Sequence, residues 1–248
     1  MGVIAVIPAR YASSRFPGKL LAKETGKYLI QHVYEQVRQA NLVEEVLIAT
    51  DDERIGKACD EFGARWRLTR ADHPSGTDRI AEAAGQLGYD IIVNVQGDEP
   101  EIEPANIDRL VELLQSDGRA DMATLAAKIA AAEEVTNPNI VKVVIDGRGH
   151  ALYFSRWPIP YHRDADEDGS GPVYRKHLGI YAYRREALLQ LSRYSPTPLE
   201  QAEKLEQLRA LEKGLVIAVA DVTHDSAGID TPEQYEEFVA RYKMRKKA

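Results

Sequence analysis

The chain has 248 residues, 44% of them hydrophobic, a length and composition suited to a single α/β domain with a sizeable core. Its 32 basic and 39 acidic residues leave a net charge of −7, which argues against a general nucleic-acid binder, because such a protein needs surplus Lys and Arg to displace counterions. One cysteine, Cys59, excludes an intrachain disulfide and a cysteine-based zinc site, and no apolar run approaches the ~18 residues that span a bilayer.

The first residues lack a basic leader followed by an apolar stretch and a cleavage site. The expectation is a cytoplasmic protein with no membrane insertion and no nucleic-acid partner. Residues 3–8 read as a buried strand, and the loop beyond it carries Arg10, Arg15 and Lys19 among small and turn-forming residues. Open α/β sheets bind ligands beyond the carboxyl ends of their strands. Three cations there resemble a triphosphate clamp, since Arg grips phosphate oxygens as a fork and Lys offers a compact charge. A solvated basic loop is the plain alternative. The Gly-x-Gly-x-x-Gly fingerprint and the Walker A pattern are both absent, which disfavours a nicotinamide dehydrogenase and a P-loop ATPase.

A helix over residues 28–40 follows, with Ile30, Val33, Tyr34 and Val37 on one face. Next come a strand over 46–49 and a helix over 51–62, whose stripe of Ile55, Ala58, Cys59 and Phe62 puts the cysteine in the core. Residues 69–79 lead into a third helix marked by Ile80, Ala83, Ala84 and Leu87. Ser75 and Thr77 suit helix caps. A Ser/Gly turn at a helix start also presents N–H groups to a base carbonyl or a phosphate. The segment alone does not decide between the two.

Residues 91–95 form the next strand and run into Gln96-Gly97-Asp98-Glu99-Pro100. A carboxylate there is well placed to hold magnesium against phosphates, so Asp98 is the best single metal candidate; a turn-forming Asp is its alternative. Ile107, Leu110, Val111 and Leu114 mark a fourth helix. The β-α-β-α rhythm predicts helices packed on a mostly parallel sheet. It then breaks, because strands at 122–128, 141–146, 151–155, 178–183 and 215–220 have fewer helices between them, giving a mixed sheet. Residues 163–172 read as an acidic, Gly-rich loop. Leu205, Leu208 and Leu211 define a helix face that leaves Glu206 solvated and Gln207 at its edge. His177, starting a strand, reads as an ordinary hydrogen-bonding residue. Thr231-x-x-Gln234 with Pro232 predicts a capping box on the last helix, beside which Asp230 is merely a flanking residue.

Several blocks, taken together, resemble the 3-deoxy-manno-octulosonate (Kdo) cytidylyltransferase family, the CMP-Kdo synthetases. They include Ile7-Pro8-Ala9-Arg10-Tyr11-Ala12-Ser13, Pro17-Gly18-Lys19, Val93-Asn94-Val95-Gln96-Gly97-Asp98-Glu99-Pro100 and Ala151-Leu152-Tyr153-Phe154-Ser155-Arg156. His177-Leu178-Gly179-Ile180-Tyr181, Leu205-Glu206-Gln207-Leu208-Arg209 and Asp230-Thr231-Pro232 continue the series, and the joint order and spacing carry the resemblance. It runs from Ile4 to about Tyr235. It implies a nucleotide-diphospho-sugar-transferase-like α/β fold, a mixed, mostly parallel sheet flanked by helices. The organisation implied is a single nucleotidyltransferase domain over 1–248, with a smaller sugar-binding or dimerisation ribbon within about 150–185, in a homodimer. The reaction implied is CMP transfer from CTP to Kdo, giving CMP-Kdo and pyrophosphate for lipopolysaccharide sugar activation, with two Mg2+ ions.

By the same resemblance, Arg10, Arg15, Lys19, Asp98 and Asp230 are catalytic, and Asp98 and Asp230 hold metal. Arg10, Ser13, Lys19, Thr69, Arg70, His73, Ser75 and Arg79 bind the nucleotide. Arg15, Gln96, Arg156, His177, Tyr183, Glu206 and Gln207 bind the sugar. The chain departs from the family pattern at Pro74, where a backbone donor is lost, and at Glu101, where an apolar residue is usual. A cytidylyltransferase for 8-amino-Kdo or a sialic acid, and a non-catalytic sugar-nucleotide binding protein, are the alternatives.

Overall fold

The structure, a computed structural model, describes residues 1–163 and 173–246. The loop expected at 163–172 lies, except for Arg163, outside the described residues. The chain divides into two compact units, Met1–Asp108 with Ser226–Ala248, and Arg109–Asp225.

The first unit holds four parallel strands, β1 (Val3–Ala9), β2 (Glu45–Thr50), β3 (Trp66–Leu68) and β4 (Ile91–Asn94). β1 pairs with both β2 and β4, and β3 extends the sheet beyond β2. Val3–Ile7 are buried throughout, the unbroken apolar run of a strand covered on both faces. Three helices, α1 (Leu29–Val37), α2 (Glu53–Glu61) and α3 (Gly76–Ala84), connect these strands. Ile30, Val33, Tyr34 and Val37 form the buried stripe of α1. α2 starts two residues later than expected because Asp52 caps it, accepting from Arg54 N at 2.9 Å. Cys59 is buried there, and burial pushes its thiol up to about 12, so it is inert core.

α4 (Pro104–Ser116) buries Ile107, Leu110, Val111 and Leu114 and carries the chain out of the first unit. The chain returns to that unit for the C-terminal helix, Pro232–Arg245. Its capping box is formed: Thr231 Oγ1 accepts from Gln234 N, and Gln234 Oε1 accepts from Thr231 N at 3.1 Å. Glu101, the departure from the family pattern, pairs with Arg241 at 2.7 Å and Arg245 at 2.9 Å of this helix.

The second unit is mixed. β5 (Met122–Lys128) runs parallel to β9 (Ile217–Val222) and antiparallel to β8 (Arg175–Arg184), while β6 (Lys142–Ile145) pairs antiparallel with β7 (Ala151–Ser155) and β8. α5 (Ala132–Thr136), α6 (Arg185–Leu191), α7 (Pro198–Glu203) and α8 (Gln207–Glu212) complete it. Leu205, Leu208 and Leu211 do not share one helix, because Lys204 takes the left-handed conformation, φ 55°, between α7 and α8. Glu206 therefore stands at the N-cap position of α8 and is half-buried rather than solvated, and Gln207 is buried rather than at an edge.

Candidate active site

The loops that leave β1 and β4 wall a cavity of about 500 Å3, lined by Arg10, Ser13, Arg15, Lys19, Ser75, Gln96 and Asp98 among others. Two glycines shape it. Gly18 has φ 70°, which lets its N–H reach Tyr11 O at 3.1 Å and turns the next residue, Lys19, inward at the start of a short 3-10 turn. Gly97 lies against the end of β1, where a Cβ would come within 3.0 Å of Pro8 O. That close approach sets Asp98 beside Lys19.

At the centre, Lys19 Nζ donates to Asp98 Oδ2 at 2.7 Å, to Ile229 O at 2.7 Å and to Asp230 Oδ1 at 3.0 Å. Arg15 pairs with the other oxygen of Asp230 at 2.8 Å. The segment bearing Asp230 is fixed from both sides: Ile229 N donates to Asp98 O at 2.9 Å, and Asp230 N donates to Gln234 Oε1 at 2.7 Å. The capping box thus positions a site carboxylate besides starting a helix, so Asp230 is more than a flanking residue. The sequence suggests Lys19 as a phosphate ligand and the two carboxylates as separate metal ligands. Here the three form one cluster.

The donor set fits a hard divalent cation. Two carboxylate oxygens from distant segments already converge on a single positive nitrogen. Among the described residues there is no group of three or more His, Cys, Asp or Glu able to hold a metal. Asp98 and Asp230 would therefore supply two oxygens, leaving the rest of the shell to phosphate and water, the usual manner for magnesium.

The residues expected around the nucleotide base lie at β3 and the start of α3. Ser75 caps α3, with Oγ accepting from Asp78 N at 3.1 Å, and Ser75 and Gly76 line the cavity. Arg10, exposed, donates to His73 O at 3.2 Å. The His73 ring Nε2 is hydrogen-bonded to Glu82, whose carboxylate also accepts from Arg70 N at 3.3 Å. The Arg70 side chain is exposed and pairs with Asp72 at 3.0 Å. Arg79 has no exposed surface: it donates to Thr69 Oγ1 at 2.6 Å and to Asp51 Oδ2 at 2.9 Å, and its Nε has no hydrogen-bond partner. As placed it touches Thr69 and Asp51 and offers no surface to a ligand. Sequence reasoning missed Asp51 and Glu82. Asp51 offered a signal, as an acid at the end of a buried strand, whereas Glu82 on a helix surface offered none.

The remaining expected sugar residues belong to the second unit. His177 precedes a register shift between β5 and β8, and Thr124 Oγ1 meets its Nε2 at 3.0 Å. Its ring packs between Phe154 at 5.0 Å and Tyr181 at 5.3 Å, and Tyr183 continues the row. Burial pushes His177 down to about 3, so its imidazole is neutral at ordinary pH. Arg156 is committed to main-chain carbonyls, Glu203 O at 2.7 Å and Pro138 O at 2.9 Å, and its own N–H is held by the Glu203 carboxylate. Glu203, which also accepts from Ser155 Oγ at 2.6 Å, anchors this corner and was not anticipated.

Known proteins match this architecture along its length. A sequence profile of the cytidylyltransferase family covers residues 4–219. A 3-deoxy-manno-octulosonate cytidylyltransferase of Geobacter metallireducens is 50% identical, over 97% of this chain and 98% of its own. That of Syntrophobacter fumaroxidans is 52% identical over 96% of each chain. A solved CMP:2-keto-3-deoxy-manno-octonic acid synthetase complexed with CTP superposes with a TM-score of 0.93 at 45% identity, covering 99% of this chain and 100% of that one. A cytidylyltransferase of Leptospira borgpetersenii shares the fold at 19% identity, with a TM-score of 0.62 over 97% of this chain and 86% of its own.

Proposed function

Because the chain belongs to the cytidylyltransferase family, we propose that it transfers CMP from CTP to the anomeric hydroxyl of Kdo, forming CMP-Kdo and pyrophosphate. The observation that carries this reading is the meeting of Arg15, Lys19, Asp98 and Asp230 beyond the ends of β1 and β4. The anomeric oxygen forms a bond to the α-phosphorus, the bond from that phosphorus to the pyrophosphate oxygen breaks, and the hydroxyl proton leaves to solvent.

Arg10 and Arg15 face solvent at the cavity, where their guanidinium groups can fork onto phosphates. Fixed positive charge there stabilises the negative charge that accumulates on departing pyrophosphate. The start of α3, with Ser75 and the N–H of Gly76, suits the polar edge of the cytidine, and we assign the buried Thr69 and His73 to the same ligand. Bound on Asp98 and Asp230, magnesium would stabilise phosphate charge and acidify the attacking hydroxyl. Asp98 and Asp230 would hold that ion, and the Gln234 contact fixes the main chain that carries Asp230. We assign His177, Tyr183, Glu206 and Gln207 of the second unit to the sugar, with Arg156 shaping that region through the carbonyls it binds.

We further propose a homodimer. Leu152, Trp157, Tyr161 and Val173, all exposed and all within the expected ribbon, form an apolar set suited to a second copy. No helix among the described residues is long and apolar enough to cross a membrane, and we propose that the enzyme works in the cytoplasm, where CTP is at hand.

The test is pyrophosphate release from CTP with Mg2+, offering Kdo, 8-amino-Kdo and a sialic acid separately, with an EDTA control. Magnesium-dependent release with Kdo, and little with sialic acid, is the expected result. Greater turnover with 8-amino-Kdo would move the assignment to that sugar. Absence of release with every acceptor, from folded protein, would overturn the enzymatic reading.

A further inference from the structure

Resting on that reading of the site, we propose that Lys19 and the divalent ion compete for the Asp98–Asp230 carboxylate pair, so that the metal enters as the nucleotide's phosphates draw the ammonium away. An ammonium has three protons to donate. All three are used here, on Asp98 Oδ2, Asp230 Oδ1 and Ile229 O, by a side chain that is buried. In this arrangement Lys19 has no proton left for a phosphate.

Two cations sharing these oxygens would sit close together. A magnesium ion bound to Asp98 Oδ2 and Asp230 Oδ1 would stand ~2.1 Å from each. An ammonium held at 2.7 and 3.0 Å from those oxygens would then lie within a few ångströms of a dication, with little water between them. Like charges so placed repel strongly. Arg15 does not raise this conflict, because it pairs with Oδ2 of Asp230 and its side chain is 64% exposed.

CTP resolves the competition. Its phosphates offer Lys19 new acceptors and offer the metal further oxygens, so each cation gains a partner when they separate. Nucleotide and metal therefore strengthen each other's binding, and by linkage the effect is reciprocal. Without nucleotide, the carboxylate pair is already neutralised and holds divalent ions weakly.

The measurement is Mn2+ binding without nucleotide, read from the electron paramagnetic resonance signal of free Mn2+. It is made on the wild type, Lys19→Met and Lys19→Gln, and on each of the two variants carrying Asp230→Asn as well. Circular dichroism melts establish which chains are folded, and the two Lys19 replacements, one apolar and one polar, guard against a folding defect in either. The expected result is at least ~10-fold tighter Mn2+ binding in the Lys19 variants, about 1.4 kcal/mol. Asp230→Asn should abolish that gain. Folded Lys19 variants that bind Mn2+ no more tightly than the wild type would overturn the proposal. So would a gain that survives Asp230→Asn, since the ion would then sit elsewhere. Failure of the functional reading is distinguishable: it would appear as wild-type protein that releases no pyrophosphate, whatever the Mn2+ comparison gives.

Discussion

His32 makes the first unit sensitive to acid. It lies on the inner face of α1, 6% exposed, with Nε2 2.7 Å from Thr25 Oγ1. Phe238 and Tyr242 of the C-terminal helix meet its ring edge-on at 5.1 and 4.8 Å. Burial pushes its pKa from 6.5 down to about 4; Lys27 adds to the effect and Glu35 opposes it. Between those values the unfolded chain takes up a proton that the folded chain refuses. Stability is then whole above the unfolded pKa and falls as pH drops through this window. The loss should reach about 2 kcal/mol near pH ~5 and about 3 kcal/mol below pH ~4. Urea unfolding of the wild type and His32→Phe across this range checks it, since Phe keeps the ring and removes the titration. The variant's constant offset cancels, and His177 is common to both chains. The gap between them should shift in the variant's favour by about 2 kcal/mol on going from neutral pH to pH ~5. A gap independent of pH would refute the reasoning, and His32→Gln, which keeps a polar partner for Thr25, should show the same trend.

Asp98→Ala should abolish turnover while leaving a folded protein, because it removes one of the two carboxylates that converge at the site; full activity with Mg2+ would remove Asp98 from the metal-binding role. Gly97→Ala should cost ~1–3 kcal/mol of stability and lower kcat, since the new methyl would press on the main-chain oxygen of Pro8 and push Asp98 away from Lys19. Wild-type kcat and melting temperature in that variant would show that the approach is not needed. Arg79→Met should destabilise by ~3 kcal/mol, leaving Asp51 and Thr69 without their buried partner. It should also raise KM for CTP more than KM for Kdo, and equal effects on both would reduce Arg79 to a purely structural residue.

The sequence was legible where periodicity and local chemistry act over a few residues. The stripes of α1 and α4, the buried run of β1 and the capping box at Thr231 are such features, and each is built from neighbours in the chain. The acid at Asp98 was legible as a candidate because a strand end is a recognisable place. β3 was missed because three residues, two half-buried and one exposed, carry no period. The wheel failed around Glu206 because one residue, Lys204, left the helical region and reset the phase. Least legible was the pairing within the site. Lys19 and Asp230 are each sensible as separate ligands, yet only folding brings them within 3.0 Å across 211 positions of sequence. Arg79 shows the same limit, since an arginine heading a helix gives no sign that its charge will be fully enclosed.

The first unit is discontinuous, and its site is closed by Ile229 and Asp230, from the segment that begins at Ser226. A ribosome making this chain has laid down Lys19 and Asp98, and then the entire second unit, before it reaches the last carboxylate. A nascent or prematurely released chain thus carries the basic loop but lacks half of the acidic pair. A chain cut short before Ser226 would present Lys19 with one carboxylate instead of two, however well its early strands have formed.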